Sequence, residues 1–285
     1  MPHRNEQPEK AYKNLEFLTS PDARILRILS EFLEPFRRFR SEGVRDTIVF
    51  FGSARTIPRP EAQKHYETVQ HRLEKTRRPT PELLQEFEEA KADLQMSRYY
   101  EDAVTLANLL AKWSKTLDQG RRFVICSGGG PGIMEAANRG AHLADVKSVG
   151  MNISLPFEQR ANPFIDKRLN FEFHYFFMRK FWFAYLAKAI VFFPGGYGTM
   201  DEMMEVLTLL QTGKIKKKMT AVVYGTEYWN QVLNFQELVK RRTISASDLR
   251  LFKFMDDPQE TFEYLKAELT KNYLRVGGKR ESLLE

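Results

Sequence analysis

The stretch Ala189-Ile190-Val191-Phe192-Phe193-Pro194-Gly195-Gly196-Tyr197-Gly198-Thr199-Met200-Asp201-Glu202 decides how this chain folds. Its first residues form a nearly continuous apolar run, the pattern of a β-strand covered on both faces. Glycines then end the strand, and a helix begins directly behind them. Working outward, the runs Thr47 to Phe51, Phe123 to Cys126, Ser148 to Ile153 and Thr220 to Tyr224 repeat the pattern, and Phe171 to Tyr175 adds a less continuous strand. Helical stretches separate these runs, so the strands are expected to pair in parallel through right-handed crossovers. The expected fold class is α/β: a Rossmann-like doubly wound parallel sheet with added N-terminal and inserted helices.

The additions are legible by their own periodicity. Asp22 to Phe39 carries Ile25, Leu26, Ile28, Leu29, Phe32, Leu33 and Phe36, so one face of an N-terminal helix is expected to pack on the core. Glu61 to Met96 is strongly charged, is interrupted by Pro79 and Pro81, and reads as an inserted helical hairpin with a structural role. Pro258 to Leu274 places Phe262, Leu265, Leu269 and Tyr273 at helical spacing and predicts a closing helix, followed by a frayed tail from Gly277. Residues 1–285 are expected to form a single α/β domain, with 1–45 as N-terminal helical extension, 60–97 as charged helical insertion and 258–285 as C-terminal helix and tail.

Composition narrows the function classes. With 285 residues, 42% of them hydrophobic and 22 of them Phe, the chain can bury a sizeable core. There is no apolar run of about 18 residues and no signal-peptide pattern at the polar N-terminus, so neither membrane insertion nor export is expected. The single cysteine, Cys126, excludes an intramolecular disulfide and weighs against a cysteine-based zinc site, and a cytoplasmic location is expected. A net charge of +7 favours a phosphate-bearing partner. The basic runs, such as Arg37-Arg38 and Lys216-Lys217-Lys218, are scattered and form no nucleic-acid-binding pattern, so nucleic acid is not an expected partner.

Three strand-to-helix turns concentrate small residues: Gly52-Ser53-Ala54-Arg55, Ser127-Gly128-Gly129-Gly130-Pro131-Gly132, and Pro194-Gly195-Gly196-Tyr197-Gly198-Thr199. Ligands of open α/β sheets bind beyond the carboxyl ends of strands, where helix N-termini present free N–H groups and a positive dipole end. Glycine lets the backbone approach an anion, and Pro131 suits the first turn of its helix. One such turn can serve tight packing alone, whereas several in one sheet point to a phosphorylated small molecule. Neither long turn carries the Gly-Lys-Ser/Thr of a Walker loop or a clean dinucleotide fingerprint.

Two further features carry chemistry. Thr199 and Glu202 form a Thr-x-x-Glu pattern that reads either as a helix capping box or as a carboxylate kept beside the anion site. Asp201, Glu202 and Glu205 are expected to crowd the first turn of that helix. Arg179 and Lys180 stand inside the aromatic run Phe176 to Tyr185. They either snorkel to solvent or face the ligand.

Pro194-Gly195-Gly196-Tyr197-Gly198-Thr199-Met200-Asp201-Glu202 resembles the PGGxGTxxE signature of the LONELY GUY (LOG) family of cytokinin-riboside-monophosphate phosphoribohydrolases, formerly labelled lysine decarboxylases. Met178-Arg179-Lys180 resembles its Arg-Lys motif, and Ser127-Gly128-Gly129-Gly130 its other phosphate-side loop. The resemblance covers about Ile48 to Arg55 and Phe123 to Tyr224. It implies a Rossmann-like fold, a homodimer or higher homo-oligomer, no metal, no cofactor, and a catalytic pair falling on Arg179 and Glu202. Substrate contacts are expected from Gly52, Ser53, Arg55, Ser127, Gly128, Gly129, Gly130, Met178, Lys180, Gly195, Gly196, Gly198 and Thr199. Glu135 and the stretch Leu155-Pro156-Phe157-Glu158-Gln159 look like the longer bacterial branch, so the expected substrate is a nucleoside 5′-monophosphate, either AMP or a cytokinin riboside monophosphate.

The expected reaction is hydrolysis of the N-glycosidic bond, giving free base and ribose 5-phosphate. The alternative from another class is a non-catalytic nucleotide or phosphate carrier resembling the molybdenum-cofactor carriers of this fold; turnover of AMP separates the two. A pyridoxal-dependent decarboxylase finds Lys180 as a candidate amine but no acidic partner for the cofactor ring, and a single-strand DNA binder lacks a basic stripe. Because aromatic residues surround the Phe176 to Tyr185 helix, a second copy of the chain is expected against it.

Overall fold

The computed structural model describes residues 8–118, 120–156 and 160–274. Residues 1–7 of the N-terminal extension, Phe157-Glu158-Gln159 and the tail from Gly277 lie outside the described residues.

The strands are β1 (Thr47–Phe51), β2 (Val124–Ser127), β3 (Val149–Ile153), β4 (Asn170–Phe173), β5 (Ala187–Phe192), β6 (Thr220–Tyr224) and β7 (Phe252–Met255). They form one seven-stranded sheet of order β4-β3-β2-β1-β5-β6-β7, and every neighbouring pair is parallel. The helices are α1 (Leu15–Thr19), α2 (Arg24–Glu42), α3 (Arg59–Lys75), α4 (Pro81–Asp118), α5 (Ile133–Leu143), α6 (Phe176–Leu186), α7 (Tyr197–Gln211), α8 (Thr226–Val232), α9 (Phe235–Lys240) and α10 (Pro258–Leu269). This is the doubly wound, Rossmann-like architecture expected from the sequence.

Burial explains which strands declare themselves. β1 and β6 are buried at every position because helices cover both sheet faces. One core gathers Phe39, Phe171, Trp182, Phe192 and Trp229; the other gathers Tyr100, Leu106, Ile133, Phe193 and Tyr224. β4, at one edge, alternates exposed and buried residues, as a strand with one face open to solvent does. β7, the opposite edge, has only Met255 buried and includes Lys253; its four residues give no apolar run, and the sequence reading missed it.

The inserted hairpin is present as α3 and the first half of α4, joined through Pro79, but its second arm does not stop near Met96. With no Pro or Gly between Pro81 and Gly120, one helix of 38 residues runs on to become the crossover between β1 and β2. Ala103, Leu106, Ala107, Leu110 and Ala111 form its buried stripe against α5. Gly140 permits that contact, since a Cβ there would lie 2.4 Å from the Val104 carbonyl oxygen.

The N-terminal helix packs with only part of its apolar surface. Ile28, Phe32 and Phe36 of α2 meet the core, whereas Ile25, Leu26, Leu29 and Leu33 are exposed. What α2 does hold is α6. The Glu31 carboxylate accepts the N–H groups of His174 and Tyr175 at 2.8 and 3.2 Å, and the Glu31 carbonyl accepts the Trp182 indole N–H at 3.0 Å. Phe32 also contacts the rings of Phe181 and Trp182. Within one chain α6 is covered on one side only: Trp182 and Phe183 are buried, and Phe176, Phe177 and Phe181 are exposed.

Candidate active site

β1 has β2 on one side and β5 on the other, so the chain reverses direction across the sheet at this point. A crevice opens at the carboxyl end of the strands wherever the winding reverses in this way. All three glycine turns converge there.

Backbone hydrogen bonds lock the turns together. The Ser53 N–H donates to the Pro194 carbonyl at 2.9 Å, and the Ile133 N–H donates to the Ser53 carbonyl at 3.0 Å. Two glycines make this interlock possible. Gly132 has φ +71° and a Cβ there would sit 2.2 Å from the Ser53 carbonyl oxygen; a Cβ on Gly195 would sit 2.2 Å from the Thr199 hydroxyl. Tyr228 adds a hydroxyl bond of 2.9 Å to the Gly195 carbonyl. Gly196 and Gly198 differ, because a Cβ on either would meet nothing within 4 Å. Packing does not require glycine at these two positions, and they border open space at the start of α7.

The start of α7 corrects two expectations. Its N-cap is Gly196, with no side-chain capping bond, so Thr199 and Glu202 do not form a capping box. The helix begins three residues earlier than that pattern supposes, which moves Asp201, Glu202 and Glu205 beyond the first turn. A third correction concerns Pro131, which precedes the N-cap Gly132 of α5 and lies outside the first turn of that helix.

Arg179 of α6 and Glu202 of α7 face each other, with Nη2 3.7 Å from Oε1 and side chains only 13% and 8% exposed. The Arg179 guanidinium lies over the rings of Phe176 and Phe183, and Nη1 is 3.9 Å from where a Cβ on Gly128 would be. Its Nε is buried and has no hydrogen-bond partner among the described residues. Burial pushes the Glu202 carboxyl above the ordinary carboxylate range against the pull of Arg179. Burial also lowers the Arg179 guanidinium, which stays charged at any working pH. The other carboxylates are neutralised separately: Lys180 Nζ reaches Asp201 at 2.7 Å and Glu205 at 2.9 Å. Both cations of the aromatic run thus face α7, and snorkelling to solvent does not describe them.

The remaining expected contacts divide. Gly52, Ser53, Gly128, Gly130, Gly195, Gly196, Gly198 and Thr199 lie on the converging turns, and Arg55 is exposed beside them. Ser127 and Gly129 are spent on the turn itself: the Gly129 N–H donates to Ser127 Oγ at 3.0 Å, and that hydroxyl donates to Asn138 at 2.6 Å. Met178 is buried in the core beneath α6. Sequence reasoning missed Asn138, Asn152 and Asn162, buried amides around the second turn that no local spacing connects to it.

The model of the family described as possible lysine decarboxylase matches residues 134–265. Cytokinin riboside 5′-monophosphate phosphoribohydrolase LOG7 of Arabidopsis thaliana is 25% identical over 185 residues, which cover 60% of this chain and 80% of that relative. LOG3 of the same plant, named for the same activity, is 29% identical over 49% of this chain and 60% of its own length. The probable phosphoribohydrolase LOGL6 of Oryza sativa subsp. japonica is 33% identical over 31% of this chain and 36% of its own length. The chain thus spans less than two thirds of the latter two relatives. Among solved structures, the structural-genomics target TM1055 aligns over 78% of this chain and 99% of its own at 17% identity and a TM-score of 0.45. A Moco carrier protein from Chlamydomonas reinhardtii aligns over 80% and 99% at 19% identity and a TM-score of 0.41. Family model and named relatives together bear out the resemblance to the LOG family that the motifs carry.

Proposed function

We propose that this chain hydrolyses the N-glycosidic bond of a nucleoside 5′-monophosphate, AMP or a cytokinin riboside monophosphate, releasing free base and ribose 5-phosphate. The observation that carries this reading is the buried Arg179–Glu202 pair, set where uncapped glycine turns meet and holding an unpartnered guanidinium Nε. The names of the LOG relatives support the same reaction.

Cleavage at C1′ builds positive charge on the ribose ring. Glu202 stabilises that charge and accepts a proton from the attacking water, whose oxygen bonds to C1′ as the base leaves with the bonding electrons. A carboxylate with a raised pKa is the stronger base for that step. Arg179 holds the nucleotide and orients Glu202; it transfers no proton. Asp201 is engaged by Lys180, so we assign the proton taken up by the leaving base to water. The turns at Gly128–Gly130 and Gly195–Thr199 anchor the 5′-phosphate, and that remote binding aligns C1′ with Glu202. Base release from a panel of nucleoside monophosphates tests the reading: one or more should be cleaved catalytically, and binding without turnover across the panel would favour a carrier.

The pH dependence follows from the direction of the Glu202 shift. The ionised carboxylate is the working form, so activity is lost as pH falls through a pKa raised above the ordinary 4.5. The acid limb of kcat/KM should therefore lie above 4.5, and a limb at or below that value would remove Glu202 as the base.

We also place a second copy of the chain against α2 and α6. Ile25, Leu29 and Leu33 recur at i, i+4 and i+8 on α2, and Phe177 and Phe181 are spaced alike on α6; all five are exposed. Ring contact between Phe32 and Phe181 joins the two helices. An apolar patch of this kind marks an interaction surface, and self-association about a two-fold axis is the common outcome. Light scattering should give at least twice the 33.4 kDa of one chain, and Leu29→Glu with Leu33→Glu should shift it toward one. A wild-type mass near 33.4 kDa with full activity would contradict the pairing. No helix among the described residues is long and apolar enough to cross a membrane. A cytoplasmic location is proposed on the single cysteine of the sequence, which is buried and free.

A further inference from the structure

The second glycine turn is held from behind by a residue of the β3–β4 connection. The two hydrogens of the Asn162 side-chain amide are shared among three acceptors, the carbonyls of Gly129 and Gly130 at 3.0 and 3.1 Å and Asn138 Oδ1 at 3.0 Å. The Asn162 backbone N–H donates to the same Gly129 carbonyl at 2.8 Å. Asn138 is fixed in turn by Ser148 Oγ at 2.9 Å and the Val149 carbonyl at 3.2 Å. Asn162 is 6% exposed and Asn138 fully buried, so neither amide trades these bonds for water.

Peptide geometry gives this clamp a direction. In a trans peptide the carbonyl and the following N–H point in opposite directions, and no cis bond occurs among the described residues. Because Asn162 draws the Gly129 carbonyl inward, the Gly130 N–H is turned the other way, out of the clamp. That N–H has no hydrogen-bond partner among the described residues, although Gly130 is buried. The Gly129 N–H, by contrast, is bonded to Ser127 Oγ. Gly129 has φ +77°, and a Cβ there would strike the Asn152 side chain at 2.4 Å, so the turn has no room for another residue at this position.

We infer that Asn162 is a positioning residue for phosphate recognition: it sets the Gly129–Gly130 peptide so that the Gly130 N–H is presented to the 5′-phosphate. The inference rests on the proposed phosphate site at this turn. Asn162 itself touches no substrate.

Binding separates this inference from the catalytic reading. Calorimetry with AMP and with inorganic phosphate should show Asn162→Ala weakening both about 10- to 100-fold, as loss of one well-aimed charge-assisted bond implies. In turnover the same variant should lower kcat/KM by that factor, mostly through KM and in smaller part through kcat, and leave the acid limb of kcat/KM where wild type has it. Ser114→Ala serves as the control: it deletes a buried bond to the Arg122 carbonyl at the opposite end of β2 from the turn, so it should lower thermal stability and leave AMP affinity unchanged. Equal affinity of Asn162→Ala and wild type, or equal weakening by Ser114→Ala, overturns the inference. Should Asn162→Ala fail to fold, amide NMR of the wild type decides: AMP or phosphate should shift the Gly130 resonance strongly and the Gly129 resonance little, and the reverse overturns it. Wild type that binds AMP without cleaving it defeats the hydrolase reading and leaves this test standing; wild type that binds neither AMP nor phosphate defeats both.

Discussion

Glu202→Gln is expected to lower kcat for nucleoside monophosphate hydrolysis by about 10²- to 10⁴-fold, the range for loss of a positioned general base. The substitution keeps side-chain volume and polar character but removes the negative charge that faces the developing cation. It should not weaken the fold. Burial holds the Glu202 carboxyl above its unfolded-state pKa, so the folded protein binds this proton more tightly than the unfolded chain does. Stability is therefore lost as pH rises from 4.5 through the raised value, and at neutral pH the charged form already works against folding. A neutral Gln lifts that penalty, and a melting curve no lower than that of wild type should accompany the lost activity. Arg179→Ala should also lower kcat, about 10²-fold, because nothing else among the described residues offers Glu202 a cation as close. Full turnover by either variant would remove that residue from the catalytic pair.

Removing the 5′-phosphate from the substrate should cost about as much as removing the base. Charge-assisted hydrogen bonds contribute about 2 kcal/mol each, so losing two from the turns at Gly130 and at the start of α7 predicts a kcat/KM roughly 10³-fold lower for adenosine than for AMP. Part of that loss should appear in kcat, since the proposed mechanism uses phosphate anchoring to hold C1′ against Glu202. Comparable kcat/KM values for nucleoside and nucleotide would mean that the glycine turns serve packing alone.

The sequence disclosed most where one local rule decided the outcome. Thr47 to Phe51 and Thr220 to Tyr224 are buried on both faces, and their unbroken apolar runs mark their exact bounds as strands. β7 escaped notice because an edge strand of four residues needs no such run. The glycine turns were legible as clusters, but what each glycine does was not: Gly132 and Gly195 fit an interlock, whereas Gly196 and Gly198 border open space. Thr199 and Glu202 satisfied a capping pattern that the fold does not use, because Gly196 starts the helix first. Lys180 could not be paired with Asp201 and Glu205 from spacing, since β5 and the third glycine turn separate α6 from α7 in the chain and only the fold sets the two helices side by side. Asn162 lies 33 positions from the Gly129 carbonyl it holds, and only the tertiary fold brings the two together.

The most direct test follows the products of AMP and of a cytokinin riboside monophosphate, each incubated with the purified wild-type chain, by chromatography for the base and phosphorus NMR for the sugar phosphate. Free base and ribose 5-phosphate are expected in equal amounts from at least one of them, at a rate that Glu202→Gln nearly abolishes. Both nucleotides left unchanged, or nucleoside with inorganic phosphate as the products, would contradict the proposed reaction.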